Sequence, residues 1–196
     1  SSNQIFAVNP DGSDVDGFPL EIGEKTKAGV ALSDFNGNGK DDIVVGTDDD
    51  NIYLIYDDAT VAPGFPYTTG DKIQAPPSIQ EIGGEKVIFS GSNDDSFYAI
   101  KSDGSLLFSV LTGDKVLTSP SFLEENGQLS IFFGSNDDYI YAVDSEGNSL
   151  PGWPIEVNGT IGGSVVFSDL DGDGQAEVLA STDMGEIVAF HLNGDA

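Results

Sequence analysis

The sequence lacks cysteine altogether, and it sets only seven Lys and Arg residues against 34 Asp and Glu. No disulfide framework and no thiolate metal site can be built from such a chain. The formal charge of −27 repels phosphate backbones and anionic lipid surfaces, which argues against nucleic acid as a partner. No apolar run approaches the ~20 residues of a membrane span, so membrane insertion is not expected. The polar start Ser1-Ser2-Asn3-Gln4 lacks the charged and apolar regions of a signal peptide. Histidine occurs once, at His191, so a His-based triad or a zinc site would rest on that side chain alone. Helical periodicity is almost missing as well, and the apolar runs are short and rich in Val and Ile.

What the chain does hold is acidic loops between strand-like runs. In residues 169–177 oxygen groups fall at positions 1, 3, 5 and 9 (Asp169, Asp171, Asp173, Glu177), with Gly174 at position 6, where a chain wrapping a cation turns sharply. Hard cations such as Ca2+ take oxygen cages of this kind. The spacing recurs in residues 34–42 as Asp34, Asn36, Asn38, Gly39 and Asp42. An EF-hand begins in the same way but needs a bidentate Glu at position 12 and flanking helices. Position 12 here is Val45 or Ala180, and the flanks read as strands.

The chain is also repetitive. Runs beginning at Ile5, Ile52, Phe97, Ile140 and Ile187 align, with steps of 47, 45, 43 and 47 residues. Each is followed by a turn: Asp11-Gly12, Asp58-Ala59, Asp103-Gly104, Glu146-Gly147 and Asn193-Gly194. Three of these turns precede a Gly-aromatic-Pro signature, at Gly17-Phe18-Pro19, Gly64-Phe65-Pro66 and Gly152-Trp153-Pro154. Two further strand-like runs complete each unit. A period near 45 residues with four strands per unit predicts the blades of a β-propeller. The fold class is therefore all-β, about four blades of 43–47 residues, forming one domain over residues 1–196. Its units are cut at 1–45, 46–90, 91–133 and 134–180, with a partial unit at 181–196. The aligned run appears five times and the loop-flanking strands four times, so an arc of a larger propeller is expected, completed by further sequence or by self-association.

In the middle units the loop pattern decays to Ile79, Glu81, Gly83, Val87 and to Phe122, Glu124, Asn126, Ser130, and no metal is expected there. The two intact loops, Asp-x-Asn-x-Asn-Gly-x-x-Asp and Asp-x-Asp-x-Asp-Gly-x-x-Glu, resemble the FG-GAP or VCBS repeat of integrin α subunits and bacterial surface proteins. That resemblance implies Ca2+ held by side chains at positions 1, 3, 5 and 9 and by the position 7 carbonyl, here Lys40 and Gln175. Glu177 stands where the family usually has Asp. The units containing Gly91-Ser92-Asn93-Asp94-Asp95 and Gly134-Ser135-Asn136-Asp137-Asp138 look more like the PQQ-like, quinoprotein-type repeat.

The remaining candidates for chemistry read as structure. His191 shares a polar, variable column with Asn9, Tyr56, Lys101 and Asp144, which suggests a solvent-facing strand end. Asp48 to Asp50, Asp94-Asp95 and Asp137-Asp138 read as turn residues. Trp153 takes the place of Phe18 and Phe65 and reads as packing. Asn158-Gly159-Thr160 is a glycosylation sequon by pattern only. The expectation is a secreted or cell-surface, calcium-binding propeller that recognises a protein or glycan without catalysing a reaction. The alternative is the propeller portion of a secreted enzyme, of the quinoprotein dehydrogenase or polysaccharide lyase kind.

Overall fold

Short Val, Ile and Phe runs punctuated by tight turns cannot bury both faces as isolated hairpins, and stacking one small sheet on the next removes both faces from water. Residues 3–195 are described by a computed structural model; Ser1, Ser2 and Ala196, at the ends of the first and last repeat units, lie outside them. The chain opens with an antiparallel pair, β1 (Gln4–Ile5) and β2 (Leu20–Glu21). Three four-stranded antiparallel meanders follow. The first joins β3 (Val30–Ser33), β4 (Asp42–Gly46), β5 (Asn51–Ile55) and β6 (Tyr67–Thr68). The second joins β7 (Ser78–Ile82), β8 (Glu85–Gly91), β9 (Ser96–Lys101) and β10 (Leu106–Leu111). The third joins β11 (Ser121–Glu125), β12 (Gln128–Gly134), β13 (Tyr139–Asp144) and β14 (Ile155–Glu156). A three-stranded sheet ends the series: β15 (Val166–Ser168), β16 (Glu177–Ser181) and β17 (Ile187–Phe190).

This is an all-β propeller architecture, with no helix among the described residues. The repeat cuts at residues 45, 90, 133 and 180 fall inside β4, β8, β12 and β16, the same place in every sheet. One strand is shorter than the alignment implies. Of the run from Ile5 to Asn9 only Ile5, with Gln4 before it, pairs in a ladder, and Val8 adds a single bridge to Asp14. Its sheet contains no inner neighbour to extend that ladder.

The core lies between successive sheets. Ile5, Phe18, Val45 and Ile55 join the first pair to the first meander. Val44, Leu54, Ile73 and Ile88 join the first meander to the second. Phe89, Phe97, Phe108 and Phe133 join the second to the third, with the Phe97 and Phe133 rings stacked at 4.1 Å. Phe132, Trp153, Val165 and Val178 join the third to the last sheet. Trp153 is buried there, edge-on to Phe132, and its Nε1–H donates to the Leu192 carbonyl at 2.9 Å.

Two glycine columns make this stacking fit. At the ends of β4, β8 and β12, a Cβ on Gly46, Gly91 or Gly134 would lie 2.1–2.3 Å from atoms of Ile73, Val116 or Ile161, which cross over from the next connection. The fourth member of that column is Ser181, which is exposed. In the second column the glycine of the Gly-aromatic-Pro signature sits under the next sheet's hairpin turn. A Cβ on Gly64 or Gly152 would lie 2.0 or 1.9 Å from the carbonyl oxygen of Asp103 or Asn193.

Candidate cation-binding loops

Both loops singled out by sequence connect the first and second strands of their sheets, β3 to β4 and β15 to β16. They share one hydrogen-bond skeleton. The position 1 carboxylate accepts from the amides of positions 4 and 6. For Asp34 these are Gly37 N at 2.7 Å and Gly39 N at 2.8 Å; for Asp169 they are Gly172 N at 2.7 Å and Gly174 N at 3.0 Å. Position 3 accepts from the amide of position 5: Asn36 from Asn38 and Asp171 from Asp173, both at 3.0 Å. Position 5 accepts from the amide of position 7: Asn38 from Lys40 at 2.8 Å and Asp173 from Gln175 at 2.7 Å. Position 9 reaches back to the amide of position 2: Asp42 to Phe35 at 2.8 Å and Glu177 to Leu170 at 2.6 Å. Each chain thus curls round its own oxygen groups.

The curl needs glycine at two places. Gly37 and Gly39 take φ of 77° and 87°, and Gly172 and Gly174 take 81° and 87°, the left-handed region that side chains disfavour. The position 6 glycine was legible in the motif. The position 4 glycine was missed, although Asn36-Gly37 and Asp171-Gly172 carry the signal of a tight turn.

The loops differ in charge and in what surrounds them. Carboxylate oxygens of Asp169, Asp171 and Asp173 lie within 4.8 Å of one another, and those of Asp171 and Glu177 lie within the same distance of a His191 nitrogen. Glu177 is buried, and its Oε1 has no hydrogen-bond partner. Like charges brought this close, one oxygen of them buried and unpaired, fit a site completed by a cation. Loop 34–42 is already partly neutralised. Lys86 Nζ donates to the Asp34 carbonyl, Lys40 Nζ donates to Asp57 at 2.7 Å, and Asp42 Oδ1 accepts from Asp57 N at 3.0 Å. The Gly39 amide, ahead of those of Gly37 and Asn38, holds the Asp34 carboxyl below the usual carboxylate range.

In the middle sheets the loop is gone. β7 turns to β8 through Gly83-Gly84 and β11 to β12 through Asn126-Gly127, and former loop positions such as Ile79 and Phe122 pair in the ladder.

His191 does not stand apart at a strand end. Its side chain is half-buried, with Nδ1 3.2 Å from Glu177 Oε1. Sequence reading missed this because β17 pairs with β16, so the end of β17 returns to the start of β16, where the loop closes.

The acidic turns before each aligned strand are turns, as expected, and they also clasp the connections between sheets. Asp94 Oδ2 accepts from Gly70 N at 2.6 Å and Tyr98 Oη at 2.7 Å; Asp137 Oδ2 accepts from Gly113 N at 2.6 Å and Tyr141 Oη at 2.7 Å. Burial, then the bond to Asp94, pushes the Tyr98 hydroxyl up to about 12, and the same causes raise Tyr141.

No protein-family model and no curated protein sequence matches the chain. Solved structures do. BamB from Moraxella catarrhalis superposes with a TM-score of 0.68 at 16% identity, over 94% of this chain and 51% of that one. BBS1N, solved in complex with ARL6DN, gives 0.64 at 13% identity, over 97% and 59%. The computationally designed Ika4 protein gives 0.58 at 14% identity, over 86% and 91%. The chain therefore spans about half the length of the first two, and the likeness supports the β-propeller fold alone.

Proposed function

We propose that this chain is a calcium-binding propeller module of a secreted or cell-surface protein, and that it recognises a protein or glycan without catalysing a reaction. The observation that carries this is the common skeleton of loops 34–42 and 169–177. Two stretches of different sequence adopt one curl around inward oxygen groups, and the more acidic of them leaves the buried Glu177 Oε1 unpaired. The side chains of Asp169, Asp171, Asp173 and Glu177 would hold one ion, and those of Asp34, Asn36, Asn38 and Asp42 the other. The bound ion supplies positive charge that ties both ends of a loop to its sheet. The likeness of the two loop sequences to FG-GAP and VCBS repeats supports the same reading.

The partner's chemistry is constrained by charge. A groove of about 610 Å3 between the second and third meanders is lined by Glu81, Glu124, Asp144 and Glu146 with no basic residue. It suits neutral or cationic polar groups. Among the few basic residues, Lys27, Lys40 and Lys86 are engaged with Asp48, Asp57 and the Asp34 carbonyl, which leaves little to hold an anionic redox cofactor.

Thermal unfolding in chelator and in millimolar Ca2+ tests the reading. A ligand confined to the folded state adds about 2.7 kcal/mol at a hundredfold excess over its Kd, or roughly 5–10 °C in a domain of this size. Loop 169–177, with four carboxylates, should bind more tightly than loop 34–42, with two carboxylates and two amides. Asp171→Ala should remove the larger part of the shift and leave the chelator melting point nearly unchanged. Coincident curves with and without Ca2+ would reject the proposal.

A further inference from the structure

We infer that loop 169–177 and His191 together form a mixed nitrogen–oxygen site for a divalent transition ion of the zinc class, which it holds more tightly than Ca2+. The inference rests on the reading of this loop as a cation cage and adds a ligand from outside it. Glu177 is the pivot. Its side chain is only 7% exposed, Oε2 is committed to Leu170 N at 2.6 Å, and Oε1 is buried with no hydrogen-bond partner. His191 Nδ1 lies 3.2 Å from that orphaned oxygen without forming a hydrogen bond to it, and an Asp171 oxygen lies within 4.8 Å of both. Two ligands held about 2.0–2.1 Å from a tetrahedral ion are about 3.3–3.4 Å apart. The observed 3.2 Å accommodates two ligands sharing an ion and is equally the spacing of an imidazolium–carboxylate pair, and titration with Zn2+ separates the two.

The other loop provides the contrast. There Tyr56 occupies the column of His191, and the Asp42 oxygens are taken by the amides of Phe35 and Asp57, so that no oxygen of the position 9 residue is left unpaired. Imidazole nitrogen is a ligand for zinc, copper, nickel and cobalt, whereas Ca2+ and Mg2+ select oxygen. The two loops thus differ in kind: 34–42 is an all-oxygen site, and 169–177 gains one nitrogen. A shallow cleft of about 380 Å3 beside Asp173, Gln175 and His191 leaves the site open to solvent.

Because the chain has one histidine, one experiment reports on this site unambiguously. The 196-residue chain, labelled with 15N-histidine, is titrated with Zn2+ while the ring nitrogens are followed by NMR, and Zn2+ and Ca2+ affinities are measured by calorimetry. Zn2+ should shift the Nδ1 resonance with one-to-one saturation. His191→Tyr, which copies the residue at position 56, should weaken Zn2+ by on the order of tenfold or more and change Ca2+ by less than about twofold. Asp171→Ala should weaken both ions. An unmoved Nδ1 resonance, or Zn2+ uptake that His191→Tyr leaves intact, would mean that Zn2+ collects on the acidic surface and would overturn the inference. Ca2+ binding by the parent chain keeps the two readings apart: a parent that binds neither ion would reject the cation cage itself, and a parent that binds Ca2+ while Zn2+ leaves Nδ1 unmoved would reject only the role of His191.

Discussion

Asp138 shows how a single backbone angle changes what a substitution should do. Its side chain belongs to an acidic turn and is no ligand, so by sequence alone its removal would be nearly silent. Its φ is 69°, however, and its carbonyl accepts from Val157 N at 2.8 Å at the outer edge of the third meander. Asp tolerates that left-handed conformation better than Ala, and Gly adopts it freely. Asp138→Ala should therefore cost about 1 kcal/mol in urea unfolding, and Asp138→Gly should lie within about 0.5 kcal/mol of the parent. Equal losses for the two would mean that the carboxylate, not the angle, matters there. The same turn position holds Asp50 at 69° and Asp95 at 65°, so the result should transfer between sheets. At this scale the sequence was legible wherever residue type dictates conformation. Gly174 announced its turn, and Asp-Gly, Glu-Gly and Asn-Gly pairs announced the hairpins at Gly12, Gly104, Gly147 and Gly194, all at positive φ. The place of His191 was not legible, because it depends on which strand end lies beside which loop.

Between single residues and the whole molecule stands the clasp that ties the second and third meanders to the connections leading into them. Aspartate in the turn and tyrosine four residues on form a pair, Asp94 with Tyr98 and Asp137 with Tyr141, and the aspartate also holds the amide of Gly70 or Gly113. The aspartate pairs and the tyrosine column were both visible in the sequence; their partners in the connections, more than 20 residues away, were not. Tyr98→Phe removes the donor and leaves Asp94 with the Gly70 amide, so it should cost about 1–2 kcal/mol, as expected for a partly buried bond to a charged acceptor. The clasp also carries a pH signature. The folded chain raises the Tyr98 pKa from 10.0 to about 12, so its neutral hydroxyl is favoured in the native state. The stability it contributes is fully present below pH ~10 and is lost as pH rises through ~12. Unfolding followed across that window should steepen in the parent and flatten in Tyr98→Phe. An unchanged alkaline limb in the variant would remove Tyr98 from the account.

Among the described residues, the first sheet of the series has two strands and the last has three. The second and third meanders pack against a neighbour on both faces, but the last sheet leaves Val166 59% and Ile187 80% exposed, beside Ala189 and Ser181, on the face turned away from Trp153. At the other end Phe6 and Val8 are exposed, and Val30 and Leu32 of β3 stand uncovered where the first pair has no inner strands. The final sheet also has a bare edge at β17, where the other sheets carry β6, β10 and β14. Bare edges and apolar faces invite a like-shaped neighbour, and the occupant best matched to a blade face is the blade-bearing end of a second copy. The uneven strand count was visible in the sequence; which residues the end sheets leave exposed was not. Net charge works against the contact. Two chains of −27 repel one another in dilute buffer, and salt screens that repulsion over about 8–10 Å while leaving the apolar contact intact. Sedimentation of the 196-residue chain should therefore show weak association that strengthens from low to high ionic strength, the reverse of a contact held by ion pairs. Ile187→Glu should abolish it without lowering the melting temperature by more than a degree or two, since Ile187 supports no core in the single chain. A chain that stays monomeric at all salt concentrations would reject a second copy as the occupant of these faces.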